Sequence, residues 1–258
     1  MTLKPPIVVL HAPGTNRDLE AAHACELAGG HVEIVHVNQL AQGIRRLKDY
    51  VMLVLPGGFS YSDDLGAGVL SALDLRFKFQ KELEEFIENG KAVFGICNGF
   101  QALVKSGFLP FRPPERRVTL TFNRSAHFEC RWVYLRVNPA SPCVFTQGLE
   151  DLLYVPVAHG EGRLLVDSEK TLCLLKDQHQ VVLTYVNENG APMGYPGNPN
   201  GSIDGIAGIC NPRGNVFGLM PHPEDHIHPY QHPRWTRGEQ GGVGLSLFQA
   251  GIRYVASL

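Results

Sequence analysis

Four short apolar runs in the first hundred residues constrain the fold more than any other feature. Residues 7–10 (IVVL), the alternating stretch 31–37, residues 51–55 (VMLVL) and residues 92–96 all have strand length and strand composition. Helical patterns lie between them. Residues 16–28 read as a helix closed by Gly29-Gly30, residues 74–89 as an amphipathic helix closed by Asn89-Gly90, and a further helix begins over 99–105. Strands separated by helices pair in parallel and need both sheet faces covered. In such sheets ligands bind beyond the carboxyl ends of the strands. Three segments fall there: residues 56–64, residues 97–101, and the loop after 218–220.

The second half has a different rhythm. Residues 132–137, 155–157, 172–175 and 181–186 read as strands without long helices between them, which implies a mixed or antiparallel extension of the sheet. Residues 187–203 (NENGAPMGYPGNPNGSI) are dense in turn formers. There is no internal repeat and no interdomain linker. The expectation is one domain over residues 1–258, with a C-terminal extension from about 225 to 258.

Charge and cysteine usage exclude several classes of function. A formal net charge of −2 leaves no electrostatic footprint for nucleic acid or an anionic membrane. No apolar run approaches the length of a membrane span, and the N-terminus lacks a cleavage signature, so the cytoplasm is the expected compartment. The six cysteines, at 25, 97, 130, 143, 173 and 210, form no C-x-x-C and do not make a disulfide framework. Five of them read as buried small apolar residues. Cys97 does not.

Residues 93–101 (VFGICNGFQ) run from a strand through Gly95-Ile96-Cys97-Asn98-Gly99 into a helix. This is the glycine-flanked pattern of a nucleophile on a sharp strand-to-helix turn, where side chains two residues to either side would collide. The helix N-terminus favours a thiolate at Cys97, and the Asn98 amide would point at an oxyanion. A plain buried cysteine at a tight turn is the competing reading. A thiol nucleophile needs a base, and the base an orienting group. Residues 216–224 (VFGLMPHPE) offer His222 and Glu224, which face the same side if the backbone is extended. Pro221 and Pro223 favour that geometry. A surface His-Pro-Glu loop is the alternative. Residues 51–58 (VMLVLPGG) end in a Gly-Gly turn whose N–H groups can face a ligand, with Gly58 or Phe59 as donor. The pattern of a phosphate loop is absent there. His222, His226, His228 and His232 crowd one tract, but the prolines among them disfavour a helical metal-binding spacing, so no native metal site is expected. The tract reads as a flap at the active-site edge.

Together, residues 56–68 (PGGFSYSDDLGAG), 94–101 (FGICNGFQ) and 220–224 (MPHPE) resemble the class I, triad-type glutamine amidotransferases. Residues 123–137 (NRSAHFECRWVYLRV), 156–166 (PVAHGEGRLLV) and 198–224 narrow the resemblance to the glutaminases of phosphoribosylformylglycinamidine synthase, over nearly the whole chain. The resemblance implies a flavodoxin-like three-layer α/β/α sandwich with a mostly parallel central sheet. It implies Cys97 as nucleophile, His222 as general base and acid, Glu224 as orienting residue, and Gly58 and Asn98 as the oxyanion hole. Gly57, Gln101, His159 and Gly160 would bind glutamine. No cofactor is implied in this chain; ATP, magnesium and the ribotide would sit on a large partner synthetase, with or without a small adaptor. Two positions depart from the family pattern. Glycine is usual where Ser62 stands, and an aromatic or aliphatic residue is commoner at Asp64, which puts the partner contacts in doubt. A glutaminase serving another acceptor, or a non-catalytic subunit on the same fold, are the alternatives.

Overall fold

The computed structural model describes residues 4–258. Its strands are β1 (Pro6–His11), β2 (His31–His36), β3 (Met52–Leu55), β4 (Ala92–Ile96), β5 (Val118–Thr121), β6 (Glu129–Val137), β7 (Leu152–His159), β8 (Arg163–Val166), β9 (Val181–Val186), β10 (Ile206–Cys210) and β11 (Val216–Leu219). The helices are α1 (Asp18–Leu27), α2 (Val37–Ala41), α3 (Val69–Phe77), α4 (Gln80–Glu88), α5 (Asn98–Ser106), α6 (Glu169–Asp177) and α7 (Leu245–Val255). Nine strands form one sheet in the order β2-β1-β3-β4-β11-β10-β9-β6-β7, while β5 and β8 pair separately. The first five strands of that order are parallel and the rest antiparallel. This is the expected doubly covered parallel sheet with an antiparallel extension.

Side-chain alternation along β4 and β11 assigns the covering helices. Phe94 and Phe217 stack at 5.4 Å, and Phe94 meets Phe248 of α7 at 5.3 Å and Phe145 at 4.8 Å. On the opposite face the same strands carry Gly95 and Gly218, paired in register. A Cβ on Gly218 would lie 2.2 Å from the Phe100 ring of α5, and one on Gly95 would lie 3.0 Å from the Gly99 backbone. The small residues let α5 sit close against the centre of the sheet, which fixes where its N-terminus begins.

Several expectations need correction. The helix expected over 74–89 is two helices, α3 and α4, broken at Lys78-Phe79, where the chain turns to bury Phe79. Residues 172–175 are not a strand. They lie within α6, whose N-terminus is capped by the Ser168 hydroxyl accepting from the Thr171 N–H at 3.3 Å. The apolar run buries Leu175 on one helical face rather than on a sheet. Cys130 and Cys173 are exposed, not buried.

Candidate active site

Cys97 follows β4 directly and is the N-cap of α5, with φ 47° and ψ −99°. That left-handed conformation is costly for a residue with a Cβ and is held by the surrounding packing. The Cys97 N–H donates to the Leu219 carbonyl of β11 at 2.8 Å, and its carbonyl accepts the Gln101 N–H at 3.0 Å. The flanking glycines are required by close approach. A Cβ on Gly99 would stand 2.0 Å from the Leu55 carbonyl oxygen. The Cys97 side chain is buried, its sulfur 3.8 Å from the Ala158 carbonyl oxygen.

The parallel pairing of β4 with β11, Ile96 opposite Leu219, delivers His222 beside the sulfur. His222 Nδ1 lies 2.6 Å from Glu224 Oε1, with both side chains buried. Its Nε2 makes no conventional hydrogen bond and has the Cys97 sulfur as its neighbour. Burial alone would push the imidazole down; the Glu224 carboxylate, and then Cys97, overcome this and hold it well above its ordinary value. The backbone reason differs from the sequence expectation. Residues 223–225 form one 3₁₀ turn with Pro223 at its start, so the turn rather than strand alternation brings Glu224 under the imidazole. Asp225, in the same turn, meets Arg17 at 3.3 Å, and burial followed by the Glu224 charge raises its carboxyl to about 6. His222, Glu224 and Asp225 bring donor atoms within 4.8 Å of one another, but His222 Nδ1 and Glu224 Oε1 are engaged with each other.

Gly57 and Gly58 follow β3. A Cβ on Gly57 would lie 2.6 Å from His222 Cε1 and 3.5 Å from Cys97 Cβ, so the turn packs directly on the pair. Gly58 has φ 117°, and a Cβ there would strike Asn16. Phe59 spends its N–H on the Gly14 carbonyl at 3.4 Å, which favours Gly58 over Phe59 as the donor facing the sulfur. Gly58, Cys97, Gln101, His159 and Gly160 all line one cavity of about 150 Å³. Gly57 and Asn98 lie behind its wall. Asn98 Nδ2 donates to Asp63 Oδ1 at 2.7 Å and to Gln101 Oε1 at 3.2 Å. Gln101 Nε2 in turn donates to the Glu161 carbonyl.

Among the lining residues without an expected role are Asp63, Glu161, Phe122 and Phe128. Asn123, outside the lining, holds His159 in place. Asn123 Oδ1 accepts from Gly162 N–H at 3.0 Å and faces His159 Nδ1 at 3.2 Å, while Nδ2 donates to the His159 carbonyl at 2.7 Å. Burial, reinforced by His222, pushes His159 down to about 3, so it is neutral, and its Nε2 is unpartnered. Glu161 sits inside the 156–166 motif and Asn123 opens the 123–137 motif, and neither motif alone assigns them a role.

The histidine tract is not a flap. His226 and His232 are buried; His226 Nδ1 donates to the Tyr154 carbonyl at 2.6 Å, and its ring stands edge-on to Trp132 at 4.9 Å. His228 Nε2 lies 3.2 Å from His23 Nε2 of α1, and its ring stacks on Tyr230. The tract is bolted to β6, β7 and α1.

A model of the CobB/CobQ-like glutamine amidotransferase domain matches residues 4–255. The chain belongs to this amidotransferase family. Among individual amidotransferase relatives, a Treponema denticola protein named phosphoribosylformylglycinamidine synthase subunit PurQ is 47% identical over 98% of this chain and all of its own. One of the same name from Dehalococcoides mccartyi is 45% identical, over 96% of both chains. Among solved structures, PurLQS from Thermotoga maritima contains a chain that superposes with a TM-score of 0.76 at 35% identity, covering 98% of this chain and 99% of its own. The amidotransferase fold, a flavodoxin-like sandwich, is thereby shared along the whole length.

Proposed function

We propose that this chain is the glutaminase component of a phosphoribosylformylglycinamidine synthase. It hydrolyses glutamine to glutamate and ammonia, and supplies the ammonia to a synthetase that converts formylglycinamide ribonucleotide to formylglycinamidine ribonucleotide. The observation that carries this reading is the buried Cys97–His222–Glu224 arrangement at the cavity wall, in a chain alike over its full length to proteins named PurQ.

The chemistry follows from the geometry. His222 takes the thiol proton, and the Cys97 sulfur attacks the side-chain amide carbon. The oxyanion receives N–H groups from Gly58 and Asn98; Asn98 is the first residue of α5, where helix N–H groups lack intrahelical partners. The C–N bond breaks as His222 returns the proton to the departing nitrogen, giving ammonia and a glutamyl thioester. Water, activated by the same imidazole, then releases glutamate and the thiol. Glu224 fixes the tautomer that presents Nε2 to the sulfur throughout. Gly57, Gln101, His159 and Gly160 shape the glutamine pocket. No step calls for a metal or cofactor in this chain; ATP and magnesium belong to the partner. The Thermotoga maritima relative is described within PurLQS, which supports a synthetase partner here. No helix among the described residues is long and apolar enough to cross a membrane, and a cytoplasmic location suits the pathway.

The test is covalent labelling with diazo-oxo-norleucine, a glutamine-mimicking electrophile, read by peptide mass spectrometry with and without glutamine, on the chain in complex with its synthetase. A single adduct on Cys97 that glutamine suppresses is expected. Absence of an adduct, or one insensitive to glutamine, removes the glutaminase reading.

A further inference from the structure

The charges around the catalytic cavity do not balance. Its lining carries two carboxylates, Asp63 and Glu161, and no lysine or arginine. His159, on the same wall, is buried and neutral, with Nε2 unpartnered. The cation at hand, Lys105, does not itself line the space: it donates to the Ala67 carbonyl and forms a long ion pair with Glu161 Oε2 at 3.5 Å. The two carboxylates are not equivalent. Asp63 Oδ1 already accepts from Asn98 Nδ2 at 2.7 Å and from the Gly68 N–H at 3.3 Å, which ties it to the nucleophile turn. Burial and, further down, the Glu161 charge push its carboxyl up. Glu161 has only the long contacts to Ala67 N–H at 3.2 Å and to Lys105, and keeps acceptor capacity. Its backbone is fixed by Gln101 donating to its carbonyl. Phe59, Phe122 and Phe128 give the lining an apolar side that suits a methylene chain.

We propose that Glu161 is a specificity-determining residue that binds the α-ammonium group of the amide substrate, so that the Cys97 cavity accepts the free amino acid and rejects amides without that charge. The inference rests on the glutaminase reading above and extends it. A partly enclosed carboxylate facing an ammonium makes a charge-assisted hydrogen bond. A substrate without the ammonium leaves Glu161 partly desolvated with only its long contacts to Ala67 and Lys105, and that asymmetry discriminates between the two amides. Asp63 is then a positioning residue, since it acts through Asn98.

The experiment measures amide hydrolysis by the chain reconstituted with its synthetase, using glutamine and 4-carbamoylbutanoate, the same molecule without its amino group. The wild type should prefer glutamine by about a hundredfold or more in kcat/KM. Glu161→Gln keeps an oxygen for the Ala67 N–H. It should raise KM for glutamine by about tenfold or more, change kcat less, and largely erase the preference. Similar kcat/KM for both amides in the wild type overturns the proposal without any variant. So does a Glu161→Gln enzyme that keeps the wild-type preference. A wild-type complex that hydrolyses neither amide, with Cys97 unlabelled by diazo-oxo-norleucine, overturns the glutaminase reading itself and this inference with it.

Discussion

Glu224 reaches His222 across a single intervening proline: Oε1 and Nδ1 are 2.6 Å apart, within one 3₁₀ turn. The imidazole and the carboxylate are therefore held as one unit. Replacing Glu224 with Gln keeps the shape but removes the charge and allows the wrong tautomer. We expect kcat for glutamine hydrolysis in the reconstituted complex to fall by a factor on the order of 10²–10⁴, with KM little changed. Steady-state kinetics decide it, and an unchanged kcat removes Glu224 from the triad.

The glycines of the site should separate into distinct kinds. Gly99→Ala drives a methyl into the Leu55 carbonyl and should cost about 3 kcal/mol or more by denaturant unfolding. Gly57→Ala should remain folded but push the imbedded imidazole off the sulfur, lowering Cys97 labelling. Gly160→Ala meets only Phe128, at 3.8 Å, and should unfold at the wild-type midpoint.

Ser62 occupies a place where relatives of the resembled family usually carry glycine, and the structure supplies a reason. Tyr61, Ser62 and Asp63 all have left-handed φ, at 58°, 57° and 53°. Ser62→Gly removes the Cβ strain at a smaller cost in chain entropy and should stabilise the protein by about 0.5–1 kcal/mol. Thermal unfolding reads the sign directly.

His159 should make the protein acid-sensitive. Its folded value is lowered from 6.5 to about 3 by burial first and by His222 second. Below pH 6.5 the unfolded chain therefore takes up a proton that the folded chain refuses, and stability falls as pH falls. Between those values His159→Gln should make the slope of unfolding free energy against pH shallower by up to about 1.4 kcal/mol per unit. Urea titrations at a series of pH values test this.

His226→Ala should separate stability from chemistry. Losing the bond to the Tyr154 carbonyl and the packing on Trp132 should cost about 2 kcal/mol, while Cys97 labelling by diazo-oxo-norleucine survives wherever the fold does. Loss of labelling in the folded variant would mean that the tract reaches the site.

The legible parts of this protein are those written locally. The run 92–96 and the glycines at 95 and 99 lie close together in sequence, so the strand and the tight turn at Cys97 could both be read from a few letters. The run 172–175 could not, because four apolar residues fit a strand or one face of a helix equally well, and the Ser168 cap that decides between them lies upstream of the run. Glu161 and Asp63 were visible but silent. Their meaning comes from Ala67, Asn98 and Lys105, brought to them by loops from elsewhere in the chain. Likewise the burial of His226 depends on β7, which periodicity revealed only as residues 155–157 of a strand spanning Leu152–His159.

The pairing of β4 with β11 has a consequence for biosynthesis. Cys97 is translated in the first half of the chain, whereas His222 arrives only with the last strand of the sheet, which slots in beside a strand made long before. A nascent chain halted anywhere before that strand has Cys97 without His222 beside it. The ribosome thus completes the Cys97–His222 pair only together with the sheet that holds it.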